Sequence, residues 1–150
     1  LPAHLAEPLV VEGVAQILGW AGDETPWQLG ALFTSSENLE NRPQVVERFV
    51  RAYRSAAQLY AGAFLQRDAN GERQFGAEAL RLAGLLQEYI PSTVPEILAG
   101  APFIERDVGI SAAAIAPQIL WFQRRDLVDP RVEASLIVDD RFVVSGSVDP

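Results

Sequence analysis

The residue types that most often perform catalysis are scarce in this sequence. Cysteine and lysine are absent, and His4 is the only histidine. A serine activated by histidine therefore has one possible base, and neither a thiolate nor a lysine Schiff base can form in these residues. His4 lies beside Leu5 in a stretch that reads as a helix, and a surface or packing role is the simpler interpretation.

Motifs for a metal or a cofactor are also missing. There is no His-Glu-x-x-His pair, no glycine-rich phosphate loop and no Gly-x-Gly-x-x-Gly sequence. Asp68 and Asn70 resemble the start of a calcium loop, but that loop needs glycine at its sixth position, and Gly71 is the fourth residue. The adjacent Asp139 and Asp140 are interpreted as a solvated turn. We expect no cofactor, no metal and no catalytic residue in this chain.

The overall charge excludes one class of partner. The net charge is −8, and all 12 basic residues are arginine. Nucleic-acid binding needs clustered cations that displace counterions, so we expect no nucleic acid. Hydrophobic residues make up 49% of the 150 residues, which allows one ordinary globular domain or part of a larger one. No apolar run reaches the roughly 18 residues of a membrane span.

One segment has the composition of a small-molecule pocket. Trp27 offers an aromatic wall, and Glu24, Thr25 and Gln28 offer polar groups around it. The segment lies between two predicted strands, where ligands commonly bind in an α/β sheet. Alternatively, Trp20 and Trp27 cover the edge of the sheet. The spacing of these residues favours neither interpretation.

Two strands and one long helix would position this segment. Apolar runs closed by turn-forming residues predict strands over residues 14–18 and 29–34. Pro43 then suits the first turn of a helix that extends to about residue 65. Apolar residues at steps of three and four place one stripe on this helix, which comprises Val46, Phe49, Val50, Tyr53, Ala57, Tyr60 and Phe64. Glu47 and Arg51 form an exposed pair one turn apart.

Four further helices are predicted from apolar spacing and end signals. They cover residues 1–12, 75–90, 93–99 and 111–125. Thr93 and Ser111 are good N-caps, and Gly13 and Gly100 are good helix ends. In the second of these helices, Leu80, Ala83, Leu86 and Ile90 should face one way.

The order of several segments resembles a known family. The chain is similar to the C-terminal half of periplasmic substrate-binding proteins of ABC importers, in the subgroup for nitrate, sulfonates, taurine, bicarbonate and thiamine-precursor pyrimidines. The resemblance extends over nearly the whole chain and rests on the order and spacing of the segments. These are Glu7-Pro8-Leu9, Gln16-Ile17-Leu18-Gly19-Trp20, Pro26-Trp27-Gln28-Leu29-Gly30-Ala31-Leu32-Phe33-Thr34, Asn41-Arg42-Pro43-Gln44-Val45-Val46-Glu47-Arg48-Phe49-Val50-Arg51-Ala52-Tyr53, Gln118-Ile119-Leu120-Trp121-Phe122-Gln123, Asp126-Leu127-Val128 and Val138-Asp139-Asp140-Arg141-Phe142.

The resemblance implies an α/β fold, the C-terminal portion of a two-lobed type II periplasmic binding protein, mostly helical here with two short strands. Residues 1–29 would end lobe two, and residues 30–150 would hold the crossing strand and the helices that return to lobe one. It implies a periplasmic protein that binds a small molecule through Trp27, Gln28, Thr25 and Glu24. The other partners would be an ABC permease and the N-terminal lobe, with membrane contact only through the permease.

The sequence departs from the family at two positions, and two other functions stay open. The family usually has glycine where Asp126 stands and a polar helix former where Pro117 stands. An enzyme similar to the pyrimidine synthase of the same fold is the first alternative; its lysine and histidine would lie in the absent half. A helical interaction module is the second.

Overall fold

The computed structural model describes residues 1–24 and 30–143, and these residues form helices joined by turns and irregular segments. The helices of the described residues are α1 Ala3–Val11, α2 Ala21–Glu24, α3 Ser36–Asn41, α4 Pro43–Phe64, α5 Ala77–Leu86, α6 Val94–Ala99, α7 Ala112–Gln123 and α8 Ala134–Ile137. The mostly helical character predicted from the sequence is confirmed. No helix in the described part of the chain is both long and apolar enough to cross a membrane.

The two predicted strands are wrong as far as residues 14–18 and 30–34 are described, because both segments are irregular. Extended chain is stable only when neighbouring strands pair with its backbone groups. The one β pairing in the described residues is an isolated antiparallel bridge between Arg67 and Arg73, at the turn predicted around Gly71. Leu29, the first residue of the second predicted strand, lies outside the described residues.

The chain divides into two compact units. Unit 1 comprises Leu1–Gly19 and Ser55–Arg106, and unit 2 comprises Trp20–Arg54 and Asp107–Pro150. Helix α4 belongs to unit 2 up to Arg54 and to unit 1 from Ser55. The predicted division between residues 29 and 30 into two lobes stays a prediction.

The long helix is confirmed as α4, Pro43–Phe64. Ala57 and Phe64 of the predicted stripe are buried, and four other stripe residues are half-buried. Phe49 is the exception, with 59% of its surface exposed. The Arg51 Nη2 atom lies 2.7 Å from Glu47 Oε1, so the predicted exposed pair one turn apart is also confirmed.

The core of unit 1 consists of small residues around one large ring. Phe64 is 1% exposed, and Ala79 and Ala83 on α5 are fully buried. These alanines, one turn apart, let the neighbouring backbone approach α5 closely. Ile97 of α6 completes the buried cluster together with Ala63 and Ala101.

The buried face of α5 differs from the one predicted. Leu80 and Ile90 were expected to face inward, but they are 52% and 42% exposed. Ala83 and Leu86 of the predicted face are confirmed, since Ala83 is buried and Leu86 packs against the core. Ala79 and Leu82 complete this face in place of Leu80 and Ile90, because close packing selects a small side chain at position 79.

Tyr60 joins α4 to the segment that follows α6. Its ring stacks on Phe64 with the ring centroids 4.7 Å apart. Its hydroxyl donates a 2.7 Å hydrogen bond to the carbonyl oxygen of Pro102. Burial raises the pKa of Tyr60 to about 12, an effect that the charge of Arg73 partly opposes. The hydroxyl therefore remains a donor at neutral pH.

Helix α6 begins and ends as predicted. The Thr93 hydroxyl accepts from the backbone N–H of Glu96, and the Glu96 carboxylate accepts from the backbone N–H of Thr93 at 2.7 Å. This reciprocal arrangement satisfies two backbone donors that would otherwise lack a partner. Pro95 lies in the first turn, and Gly100 ends the helix.

Replacing Thr93 by alanine should lower the free energy of unfolding by about 1 kcal/mol, because the N-cap acceptor is lost. Hydrogen bonds from the Thr93 backbone and then from its side chain lower the pKa of Glu96. A carboxylate with a lowered pKa stabilises the fold above its unfolded-state pKa, and that contribution disappears as the pH falls through the folded-state pKa. Urea melts of wild type, Thr93→Ala and Glu96→Gln at neutral and acidic pH test both effects. A urea midpoint of Thr93→Ala equal to that of wild type would contradict the capping effect. A stability of Glu96→Gln with the same pH dependence as wild type would contradict the contribution of the Glu96 carboxylate.

Two helices end with residues in the left-handed conformation, as the sequence indicated. Gly13, with φ of 72°, follows α1, and Asp126, with φ of 57°, follows the last turn after α7. At Asp126, its own N–H donates to the carbonyl oxygen of Gln123, and the N–H of Leu127 donates to that of Phe122. This pair of bonds defines a Schellman motif. Aspartate tolerates the conformation better than most residues, so it can replace the glycine usual in the resembling family.

Helix α7 organises the C-terminal part of unit 2. Ser111 caps its first turn by accepting from the N–H of Ala114, as predicted. Ile119 is buried on α7 and Ala134 on α8, which packs against it. The side-chain amide of Gln123 donates to the carbonyl oxygens of Asp129 and Val132, which fixes the connection between the two helices.

Candidate functional site

The segment predicted to bind a ligand is described only at its start. Glu24 is the last residue of α2, so one helical turn occupies part of the predicted loop. The Glu24 side chain is exposed. Thr25, Trp27 and Gln28 lie outside the described residues. Trp20, the other tryptophan near this segment, is 37% exposed. The binding role of Glu24, Thr25, Trp27 and Gln28 stays a prediction. The alternative, that Trp20 and Trp27 cover the edge of the sheet, also stays a prediction.

A different group of residues in unit 2 lines a partly open cavity of ≈ 130 Å³, here named the Arg54 cavity. Its charged lining consists of Glu47, Arg51, Arg54 and Asp107. Its apolar lining consists of Val50, Val108, Phe142 and Val143. The cavity therefore combines charges of both signs with hydrocarbon walls.

Helix α4 supplies half of this lining from a single face. Glu47, Val50, Arg51 and Arg54 follow one another at helical steps of three, one and three, and such positions lie on the same side of an α-helix. The remaining residues come from the segment after α6 and from the end of the described chain. Distant parts of the sequence are thus brought to one helix face.

An ion pair connects α4 to the segment at residue 107. The Arg54 Nη2 atom lies 2.9 Å from Asp107 Oδ1, and the two side chains are 28% and 42% exposed. The Arg51–Glu47 pair is more open, with the side chains 70% and 54% exposed. Exposed pairs contribute about 0–1 kcal/mol each. The exposed Arg51–Glu47 pair can therefore rearrange at low energetic cost, whereas the Arg54–Asp107 pair is part-buried.

One nitrogen at the cavity lacks an acceptor. The Arg54 Nε atom is buried and has no hydrogen-bond partner in the described part of the protein. A buried donor without an acceptor costs about 1–3 kcal/mol. Because this nitrogen is buried, a molecule in the cavity would not reach it without movement of the Arg54 side chain.

The backbone at Val108 is held in an unusual conformation. Its φ is 52°, in the left-handed region that a β-branched residue rarely adopts. Such residues cost about 1–3 kcal/mol and tend to occur at ligand sites. Val108 immediately follows Asp107, the residue that pairs with Arg54.

The described lining of the Arg54 cavity offers guanidinium and carboxylate groups and contains no hydroxyl, thiol or imidazole. Among residues 1–24 and 30–143, no group of three or more acidic or histidine side chains is arranged to hold a metal ion. Guanidinium and carboxylate groups beside apolar walls are suited to a small ligand with both polar and hydrocarbon parts.

Sequence reasoning identified only part of this cavity. It placed Arg51 and Glu47 on the exposed side of α4 and gave Arg54 no role. The spacing along α4 was visible, but Arg54 and Asp107 are 53 residues apart. No local pattern indicates which loop will meet a given helix face.

Comparison of the chain with protein-family models, with curated proteins and with solved structures finds no significant match.

Proposed function

We propose that this chain is part of the extracytoplasmic solute-binding component of an ABC importer, in the subgroup that takes up nitrate, sulfonates, taurine, bicarbonate or thiamine-precursor pyrimidines. One observation carries the proposal: seven short segments follow one another in the order and spacing of the C-terminal half of such proteins, from Glu7 to Phe142. Their combined order is more specific than any one of them.

The proposed mechanism is capture of a small molecule by closure of two lobes. The chain would contribute the end of lobe two, the crossing segment from Gly30 and the helices that return to lobe one. Trp27, Gln28, Thr25 and Glu24 would face the ligand in the cleft. The closed form would then be presented to the permease, which makes the only contact with the membrane.

The distribution of apolar surface supports the proposal that an N-terminal lobe is a partner of this chain. Leu18 and Phe33 are 93% and 96% exposed, and both lie in the segments that the family uses as strands. A contiguous apolar surface commonly marks a region that another part of a protein covers, and we propose that the N-terminal lobe covers these two segments. The resemblance implies that helices follow the crossing segment that begins at Gly30. In the structure, α4 follows this segment and begins at Pro43.

The isolated chain should accordingly show weak thermal stability or self-association. Its largest buried cluster contains four alanines, so apolar burial contributes little relative to the chain length. Sedimentation and calorimetric melting of residues 1–150 measure both properties. A sharp, reversible and monomeric melt above about 65 °C, the top of the usual mesophile range, would contradict this expectation.

Ligand binding by the full-length protein tests the proposed function directly. The full-length protein should be titrated in a calorimeter with nitrate, taurine, an alkanesulfonate, bicarbonate and a thiamine-precursor pyrimidine. We expect one of these to bind with a dissociation constant near or below the micromolar range. Failure of all five would overturn the assignment to this subgroup. A reactive lysine–histidine pair in the cleft would instead favour the pyrimidine-synthase alternative.

A further inference from the structure

The turn between α4 and α5 contains a dipeptide with chemistry of its own. Asn70 precedes Gly71, whereas the two other asparagines of the chain, Asn38 and Asn41, precede leucine and arginine. Asparagine is one of the thermolabile residues of proteins, because the next backbone nitrogen can attack its side-chain amide carbon. A following glycine has no Cβ, so the nitrogen and the amide carbon can approach each other closely.

Asn70 lies in a three-residue hairpin loop. The N–H of Asp68 donates to the carbonyl oxygen of Glu72 at 2.9 Å, and the N–H of Gly71 donates to the carbonyl oxygen of Asp68 at 3.0 Å. Gly71 has φ of 83°, the left-handed conformation that often completes a loop of this length. The nitrogen that would attack Asn70 is therefore held by a backbone hydrogen bond while the loop, here named the 68–72 turn, is closed.

The Asp68 side chain closes the same turn. Its Oδ1 atom accepts from the backbone N–H of Asn70 at 2.8 Å and from that of Glu72 at 2.9 Å. Aspartate commonly stabilises turns by bonds of this kind. The nitrogen of Gly71 can reach the side chain of Asn70 only after its own N–H has left the Asp68 carbonyl. The turn must therefore open before the two groups react.

Opening of the 68–72 turn leaves the core intact. All five of its residues are exposed. The hairpin behind it contains one isolated bridge, between Arg67 and Arg73. Exposed segments with few buried contacts open locally at a small fraction of the free energy of global unfolding. The open form is therefore accessible in the folded protein.

These features carry one conclusion: we propose that Asn70 is a site of spontaneous deamidation, and that opening of the 68–72 turn limits its rate. In the open turn, the Gly71 nitrogen forms a bond to Cγ of Asn70. The Cγ–Nδ2 bond breaks, and Nδ2 leaves as ammonia with the proton of the Gly71 N–H. Water then opens the cyclic succinimide at either of its carbonyls, which gives aspartate or isoaspartate at position 70. This site does not rest on the proposed importer function.

The products alter the turn that joins α4 to α5. Either product places a new negative charge between Asp68 and Glu72, and like charges this close together are unfavourable. Isoaspartate also lengthens the main chain by one carbon. The register of a hairpin depends on the length of its loop, so the bridge between Arg67 and Arg73 would be disturbed.

Incubation of the 150-residue chain at mildly alkaline pH, followed by tryptic digestion and mass spectrometry, tests the proposal. Two arginines flank the turn, so trypsin releases residues 68–73 as a peptide in which Asn70 is the only amide side chain. We expect Asn70 to deamidate at least about tenfold faster than Asn38 or Asn41, and to give both aspartate and isoaspartate. Equal rates at the three asparagines would overturn the site. Aspartate without isoaspartate would overturn the succinimide route.

Two variants test whether opening of the turn limits the rate. Asp68→Ala removes both side-chain hydrogen bonds that close the turn. It should raise the rate at Asn70 about threefold or more, because each bond makes a modest contribution to the closed form. The matched control is Glu72→Ala, which also removes one carboxylate from the turn but keeps those two bonds, and it should change the rate much less. An unchanged rate in Asp68→Ala, or equal increases in both variants, would overturn the role of the turn.

Denaturant provides a second measurement on the wild-type chain, which applies even if circular dichroism shows that Asp68→Ala is unfolded. In guanidinium chloride the turn is open in every molecule. The rate at Asn70 should therefore exceed the native rate about threefold or more, as in Asp68→Ala. A rate in denaturant equal to the native rate, or below it, would contradict protection by the folded turn and overturn the proposal.

Discussion

Replacing Phe64 by alanine is expected to lower the free energy of unfolding by about 3–5 kcal/mol, the range for deleting a buried phenylalanine ring. Phe64 is the largest fully buried side chain of the described residues, at 1% exposure. It packs with Ala79, Ala83 and Ile97 and stacks on Tyr60. The surrounding alanines have no long side chains that could collapse into the space left by the ring.

The same helix supplies a matched control for this experiment. Phe49 on α4 is 59% exposed, so Phe49→Ala should change the free energy of unfolding by no more than about 0.5 kcal/mol. Urea denaturation followed by circular dichroism at 222 nm, a helix-sensitive signal, measures both variants. Phe64→Leu keeps most of the hydrophobic volume and should fall between wild type and Phe64→Ala. Similar losses in Phe49→Ala and Phe64→Ala would contradict the assignment of the core to unit 1.

The helices with strong local end signals could be predicted from the sequence. Thr93 and Ser111 each accept from a backbone N–H three residues ahead, so the information that starts α6 and α7 is contained in four consecutive residues. Asp126 likewise ends a helix through its left-handed backbone conformation and the nearest carbonyls. At the end of α6, the N–H of Gly100 donates to the carbonyl oxygen of Glu96. For α4, apolar spacing sufficed because its stripe, from Val46 to Phe64, repeats over about five turns.

The strands could not be predicted in the same way. Residues 14–18 and 30–34 have apolar composition, but a strand is stabilised by partners that composition does not specify. A short helix was missed for a related reason. Ser35 caps α3 by accepting from the N–H of Asn38, although Ser35 appeared in the sequence as the turn that closes a strand. Serine is favoured in both places, so the residue type alone does not distinguish them.

The candidate cavity depends even more on contacts between distant residues. The face of α4 that carries Arg54 could be read from helical spacing, but its pairing with Asp107 required the fold. The burial of Arg54 Nε depends on the same packing. A sequence therefore reveals which charges share a helix face, whereas the structure reveals which of them lose contact with water.

Under the proposed importer function, Trp27→Ala in the two-lobed protein is expected to weaken ligand binding by about 2 kcal/mol or more, the scale for a buried aromatic anchor. Tryptophan offers a large flat apolar surface and one N–H donor. The neighbouring amide of Gln28 can donate to an anion such as a sulfonate or accept from an amine. Glu24 is exposed; a carboxylate that faces the cleft, as proposed, would repel an anion and would favour a cationic or neutral, nitrogen-bearing ligand.

The measurement is calorimetric titration of wild type and Trp27→Ala with whichever solute the full-length protein binds. Trp20→Ala is the matched control, because Trp20 precedes the segment and lies outside the proposed ligand contacts. Both variants should retain the wild-type circular dichroism spectrum. A loss of affinity confined to Trp27→Ala would support an aromatic wall in the cleft. Equal affinities of Trp27→Ala and wild type would mean that Trp27 only covers an edge of the fold, and Trp27, Gln28, Thr25 and Glu24 would no longer be assigned to the site.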